Sequence, residues 1–167
     1  RWQLDLPASP AGGPFELVVQ ASNRIVLRDV LVGELWLASG QSNMEWALRD
    51  VQDGAQEVAA AEHPLIRHTK LPKRALLRPA DDLPPLVWQA SSPATAGDFS
   101  AVATFFARRL SRSLGGVPVG IVNNAWGGSH LETWASPQAA LADPDMAPYV
   151  RDLPEDAAAL AAQRRAR

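Results

Sequence analysis

The chain has 167 residues, 47% of them apolar, enough for one ordinary domain with its own core. It has no cysteine, which excludes disulfide scaffolds, thiol nucleophiles and zinc–thiolate sites. A net charge of −2, no internal basic run and no apolar stretch near the roughly 18 residues of a membrane span leave neither nucleic acid nor a membrane as an expected partner.

In chain order, residues 15–19 and 24–27 read as strands joined by a turn at Gln20-Ala21-Ser22-Asn23. Such a hairpin is marginal in water and must pair with something; residues 1–29 are expected to belong apart from 30–167, with a small β appendage native to one domain as the alternative. Residues 34–38 form a short apolar run, expected as a buried strand with Trp36 in the core. Gly40-Gln41-Ser42-Asn43-Met44 follows, and a helical period starts at Glu45. That period turns Leu48, Val51, Ala55 and Val58 inward, with Gly54 costing about 1 kcal/mol relative to alanine. Residues 65–69 read as a strand. His63 and His68 flank Pro64 without helical spacing, which argues against a metal pair, and both are expected as ordinary surface or strand residues.

Residues 71–93 contain five prolines and read as a long surface loop, a candidate cleft wall. Ser100 is placed to cap a helix that buries Val102, Phe105, Phe106 and Leu110 and stops at Gly115. Residues 117–122 are β-branched and read as another buried strand, ending in Asn123-Asn124-Ala125-Trp126-Gly127-Gly128-Ser129. An alanine-rich segment from Asp152, acidic first and arginine-rich last, suits a solvated helix. Strand–helix–strand order of this kind predicts βαβ units and a parallel sheet, an α/β protein.

Two junctions carry chemistry. A serine where a buried strand turns into a helix lies at the functional edge of such a sheet, beside N–H groups that favour an anion. Acyl transfer needs that pairing of an exposed hydroxyl with oxyanion donors, which makes Ser42 a candidate nucleophile. A plain helix cap is the competing explanation. The motif also differs from the nucleophile elbow, because Met44 stands where a second glycine would. The Gly127-Gly128 pair opens backbone N–H groups to a ligand at the second junction, with a simple turn as its alternative.

Together these residues resemble one family. Asp29-Val30-Leu31-Val32-Gly33-Glu34-Leu35-Trp36-Leu37-Ala38-Ser39-Gly40-Gln41-Ser42-Asn43-Met44-Glu45-Trp46 looks like the nucleophile block of the sialate O-acetylesterases, a branch of the SGNH hydrolases. The match resumes at Phe99-Ser100-Ala101-Val102-Ala103 and runs through Gly127-Gly128-Ser129 to Glu132-Thr133-Trp134. The resemblance implies a flavodoxin-like three-layer α/β fold, preceded by a β-sandwich of which residues 1–29 would be the last hairpin. It also implies removal of acetyl groups from sugars, with no cofactor and no metal. Ser42 would be the nucleophile, and its N–H with Gly127 or Gly128 would contribute to the oxyanion hole. Gln41, Asn43 and Trp126 would contact substrate. An indole of Trp46, Trp126 or Trp134 could stack on a sugar ring, with core packing as the alternative for each. A secreted or periplasmic location is favoured on the same ground.

That family completes its site with a Gln-Gly-Glu block and an Asp-x-x-His motif. Neither occurs here: the histidines are His63, His68 and His130, and none has an aspartate three residues earlier. His130, close to the glycine pair, is not expected to act as base. A serine without a base stays a poor nucleophile at neutral pH. The chain is therefore expected to be the N-terminal part of an esterase, inactive by itself, with the His/Asp pair on a missing C-terminal part or a second chain. The alternative function is a non-catalytic carbohydrate-binding or assembly module.

Overall fold

The computed structural model describes residues 3–76, 80, 82–154 and 165. The alanine-rich helix expected after Asp152 falls almost wholly outside these residues.

Strands β1 (Gly12–Gln20) and β2 (Arg24–Val32) form the predicted antiparallel hairpin, both longer than expected. Their Phe15, Val18, Ile25 and Leu27 are exposed. The hairpin is tied to the rest of the protein by Asp29, whose carboxylate takes both guanidinium arms of Arg67 at 2.8 and 2.9 Å.

The second sheet has the order β3-β6-β4-β5. Its members are β3 (Glu34–Gly40), β4 (His63–Lys70), β5 (Gln89–Ser91) and β6 (Val119–Ala125). β6 is the central strand, parallel to both β3 and β4, as the strand–helix alternation predicts. β5 was not expected; three residues are too few to show a period, and it pairs antiparallel with β4 inside the proline-rich loop. The strand expected at 117–122 begins two residues later, at Val119, where the Pro118 carbonyl accepts the Glu34 N–H at 2.9 Å and the ladder with β3 opens.

Helix α3 (Ala101–Ser113) covers one face of this sheet. Ser100 caps it as predicted, its Oγ accepting the Ala103 N–H at 3.2 Å, and Gly115 follows its end at φ 73°. The buried face is a correction. Ala101, Ala103, Thr104, Ala107 and Ser111 are buried, whereas Val102, Phe105 and Phe106 are 40–48% exposed; Leu110 is only partly covered. Small residues let the helix approach the sheet, and Ala103 and Ala107 pack on Ala38, Ile66, Val119 and Ile121. Trp36 is also corrected. It is 43% exposed on the sheet's edge strand, meeting Phe106 edge-on at 5.0 Å. Leu35 and Leu37, on the opposite face, are exposed too.

The long helix expected from Glu45 is broken into three pieces: α1 (Ser42–Glu45), a 3-10 turn at Leu48–Asp50 and α2 (Gly54–Ala59). Between the first two, Ala47 is extended and bridges Ser100, while Leu48 N–H reaches Phe99 O and Ala101 N–H reaches Trp46 O. That pairing satisfies backbone groups at the start of α3 and outweighs the helical period. Gly54 does not weaken a helix; a β-carbon there would lie 2.4 Å from the Arg49 carbonyl oxygen, so the turn needs its absence. Leu48 is fully buried in a second cluster with Ala61, Ala96, Phe99 and Ala101.

Two short helices, α4 (Pro137–Ala142) and α5 (Ala147–Val150), follow β6. Ser136 caps α4 through the Ala139 N–H at 3.1 Å, with Pro137 in the first turn, a signal legible in the sequence.

Candidate active site

The ladder between β3 and β6 builds the site. Gly40 lies beside Ala125 in the parallel register, and the Trp126 N–H donates to the Gly40 carbonyl at 2.9 Å. Residues 41–44 and 126–128 therefore leave the sheet side by side. Gly40 turns the chain at φ 145°, a conformation other residues rarely adopt.

Ser42 is the first residue of α1, and it is exposed. The cap position belongs to Gln41, whose carbonyl accepts the Met44 and Glu45 N–H groups, each at 3.0 Å. The Ser42 hydroxyl is thus not consumed by helix capping. It donates to Gln41 Oε1 at 3.2 Å. α1 is a single turn, so what it offers an anion is individual N–H groups rather than a large dipole.

Gly127 sits against the serine: a β-carbon on it would be 3.6 Å from both Cα and Cβ of Ser42. The same position would be 3.0 Å from Glu45 Oε2. The Gly127 N–H donates to that oxygen at 2.6 Å, and Glu45 Oε1 pairs with Lys73 Nζ at 2.5 Å. The Lys73 hydrogen bond, and then the Gly127 N–H, hold the Glu45 carboxyl below its ordinary value. Lys73 also lies 5.9 Å from the Trp126 ring centroid. Gly128 has φ 78° with open space where a side chain would point, and its N–H has no acceptor among the described residues.

Sequence reasoning missed Glu45 and Lys73. Glu45 read as a helix start, and its partner at Gly127 is 82 residues away, beyond any periodic signal. Lys73 lies in the proline-rich segment, which does reach the site as the expected cleft wall should.

The substrate-contact candidates Gln41, Asn43 and Trp126 are all exposed beside Ser42 or Gly127. Trp46 is 53% exposed, with its indole N–H on the Asp50 carbonyl at 3.1 Å. Trp134 is half-buried and supports the glycine loop, its N–H reaching Ser129 Oγ, which in turn donates to the Trp126 carbonyl.

The histidines divide. His130 is exposed, and His63 lies in a groove with Arg108 and Arg112 at the start of β4. His68 is a strand residue, as expected, but neither an ordinary nor a surface one. It is buried and stacked on Phe99 at 4.1 Å, neither ring nitrogen has a partner, and burial pushes its pKa down to about 4. Among the described residues no cluster of three or more His, Asp or Glu could hold a metal ion.

Residues 32–153 match the family described as carbohydrate esterase, sialic acid-specific acetylesterase. The mouse sialate O-acetylesterase is 33% identical over 149 residues, covering 81% of this chain and 27% of the mouse protein. The human sialate O-acetylesterase is 30% identical over 148 residues, covering 81% and 28%. The crystal structure of a carbohydrate acetylesterase from Xanthomonas citri superposes with a TM-score of 0.79 at 49% identity, covering 86% of this chain and 33% of that one. The chain spans about a third or less of each of these relatives.

Proposed function

The chain belongs to the family of sialic acid-specific acetylesterases among the carbohydrate esterases, and from that premise we propose that it supplies the nucleophile and oxyanion donors of a serine carboxylesterase that removes O-acetyl groups from sugars. The observation that carries this reading is the exposed Ser42, its Cα and Cβ beside the Gly127 backbone at the shared end of β3 and β6. Ser42 Oγ gives its proton to a base and attacks the acetyl carbonyl. The Ser42 N–H and one N–H of the Gly127-Gly128 pair donate to the oxygen that becomes negative, and the base returns the proton to the leaving sugar oxygen. Water then clears the acetyl-serine.

The base belongs outside this chain, on a further segment of the domain or on a second chain. The recorded partner of Ser42 Oγ is the Gln41 amide, which cannot take its proton. Gln41 and Asn43 offer polar contacts to the sugar, and Trp126 offers an exposed ring face. The exposed apolar side chains of the β1–β2 hairpin support reading residues 1–29 as the end of a preceding β domain. A secreted or periplasmic location rests on the family resemblance.

An alkyl fluorophosphonate tests the site, because its phosphorus becomes tetrahedral on serine with an oxygen in the oxyanion position. The expected result is a slow single adduct on Ser42, absent in Ser42→Ala, together with acetate release near background from acetylated sugars. Turnover at ordinary enzyme rates by this chain alone would overturn the external base. Sugar binding without any Ser42 adduct would favour the binding-module reading.

A further inference from the structure

We propose that Glu45 is the positioning residue of this site: its carboxylate, held by Lys73, clamps Gly127 against the Ser42 turn and so leaves Gly128 as the glycine whose N–H faces the ester oxygen. The inference rests on the nucleophile reading of Ser42 and resolves which member of the glycine pair acts.

Three segments meet at this one side chain. Glu45 ends the turn that Ser42 begins, Gly127 belongs to the loop after β6, and Lys73 comes from the segment after β4. The Gly127 N–H is directed at Oε2 at 2.6 Å, while Lys73 takes Oε1 at 2.5 Å. A charged acceptor makes the Gly127 bond a strong one. An amide already committed to a carboxylate cannot also stabilise an oxyanion. The adjacent Gly128 N–H is uncommitted among the described residues, and Gly128 itself, at φ 78°, has left the strand conformation with open space on its side-chain side.

The glycine at 127 has a separate reason. A β-carbon on it would stand 3.0 Å from Glu45 Oε2 and 3.6 Å from Ser42, so a methyl group there would need the carboxylate to give by a few tenths of an ångström. Lys70, at the end of β4, adds a weaker positive field at the same carboxylate.

The experiment compares fluorophosphonate labelling of Ser42 in the 167-residue chain, followed by intact mass, for wild type, Glu45→Gln and Glu45→Ala. In the labelling step the Oγ–P bond forms, fluoride leaves and the serine proton passes to solvent. Gln retains an oxygen that can accept the Gly127 N–H; Ala does not. Labelling should slow at least tenfold in Glu45→Ala and stay within about threefold of wild type in Glu45→Gln, a rescue that loss of packing alone would not give. In parallel, hydrogen exchange of the Gly127 amide should accelerate in the Ala variant and not in the Gln variant.

Equal or faster labelling in Glu45→Ala, with Ser42 labelled in wild type, overturns the positioning role and leaves the nucleophile standing. An unaltered Gly127 exchange rate overturns the clamp whatever happens at Ser42. A wild-type chain that never labels removes the nucleophile reading, and the positioning role falls with it.

Discussion

Gly33 lies so close to Pro118 that a β-carbon on it would stand 2.1 Å from the Pro118 carbonyl oxygen. That oxygen also accepts the Glu34 N–H at 2.9 Å, so the contact starts the β3–β6 ladder. Gly33→Ala should cost about 3 kcal/mol, at the upper end for inserting a group into a packed contact. Urea denaturation measures it, and a midpoint equal to wild type would show that the ladder start can part without loss.

The Asp29–Arg67 pair joins the hairpin to β4. The Arg67 hydrogen bond holds the Asp29 carboxyl below its ordinary value. Asp29 adopts φ 59°, which asparagine tolerates, so Asp29→Asn removes the charge without adding backbone strain. The variant should melt earlier than wild type at low ionic strength, and the difference should close near 1 M salt, where the Debye length is only about 3 Å. A difference that ignores salt would assign the effect to packing.

His68 makes stability depend on pH. Its pKa is about 4 in the folded protein against 6.5 when free, so between those values the unfolded chain binds a proton that the folded chain does not. Stability is therefore complete above pH 6.5 and falls as the pH drops toward 4, by up to about 3 kcal/mol. Glu45 and Asp29 have lowered pKa values, so their contributions are present above the ordinary carboxylate range and are lost at lower pH still. Melting temperatures across the range, with the His68 ring protons followed by NMR, check this. A His68 that titrates near 6.5 in the folded protein would refute it.

Gly128→Pro removes the proposed oxyanion donor and cannot adopt φ 78°, whereas Gly128→Ala keeps the N–H in open space. One such donor is worth about 3 kcal/mol of barrier, so Ser42 labelling should fall on the order of a hundredfold in the proline variant. The alanine variant should lose less than tenfold, through the cost of a left-handed backbone alone. Equal labelling in all three proteins would take Gly128 out of the oxyanion site.

What could be read from residues alone follows the range of the interactions. The strand cores, the Ser100 cap and the Gly115 stop rest on local chemistry, and the structure has all of them. The motif around Ser42 was legible as a short specific string. The helix after Glu45 failed because the backbone of residues 46–48 pairs with residues 99–101, a contact no periodicity encodes. The inward face of α3 failed for a related reason: the sheet selects small residues for close approach, whereas hydrophobicity pointed to Val102, Phe105 and Phe106. Glu45 carries no local mark of its role, since both partners arrive from distant segments.

The parallel alignment of Gly40 with Ala125 has a wider meaning for accuracy. Adjacent residues in a strand are about 3.3 Å apart, so a slip of one position would carry the glycine loop past the serine and invert every neighbouring side chain. The mechanical tolerance of the proposed chemistry is thus inherited from Val119 and Ile121 in the core. Damage there, remote from any substrate, would surface first as lost alignment at Ser42.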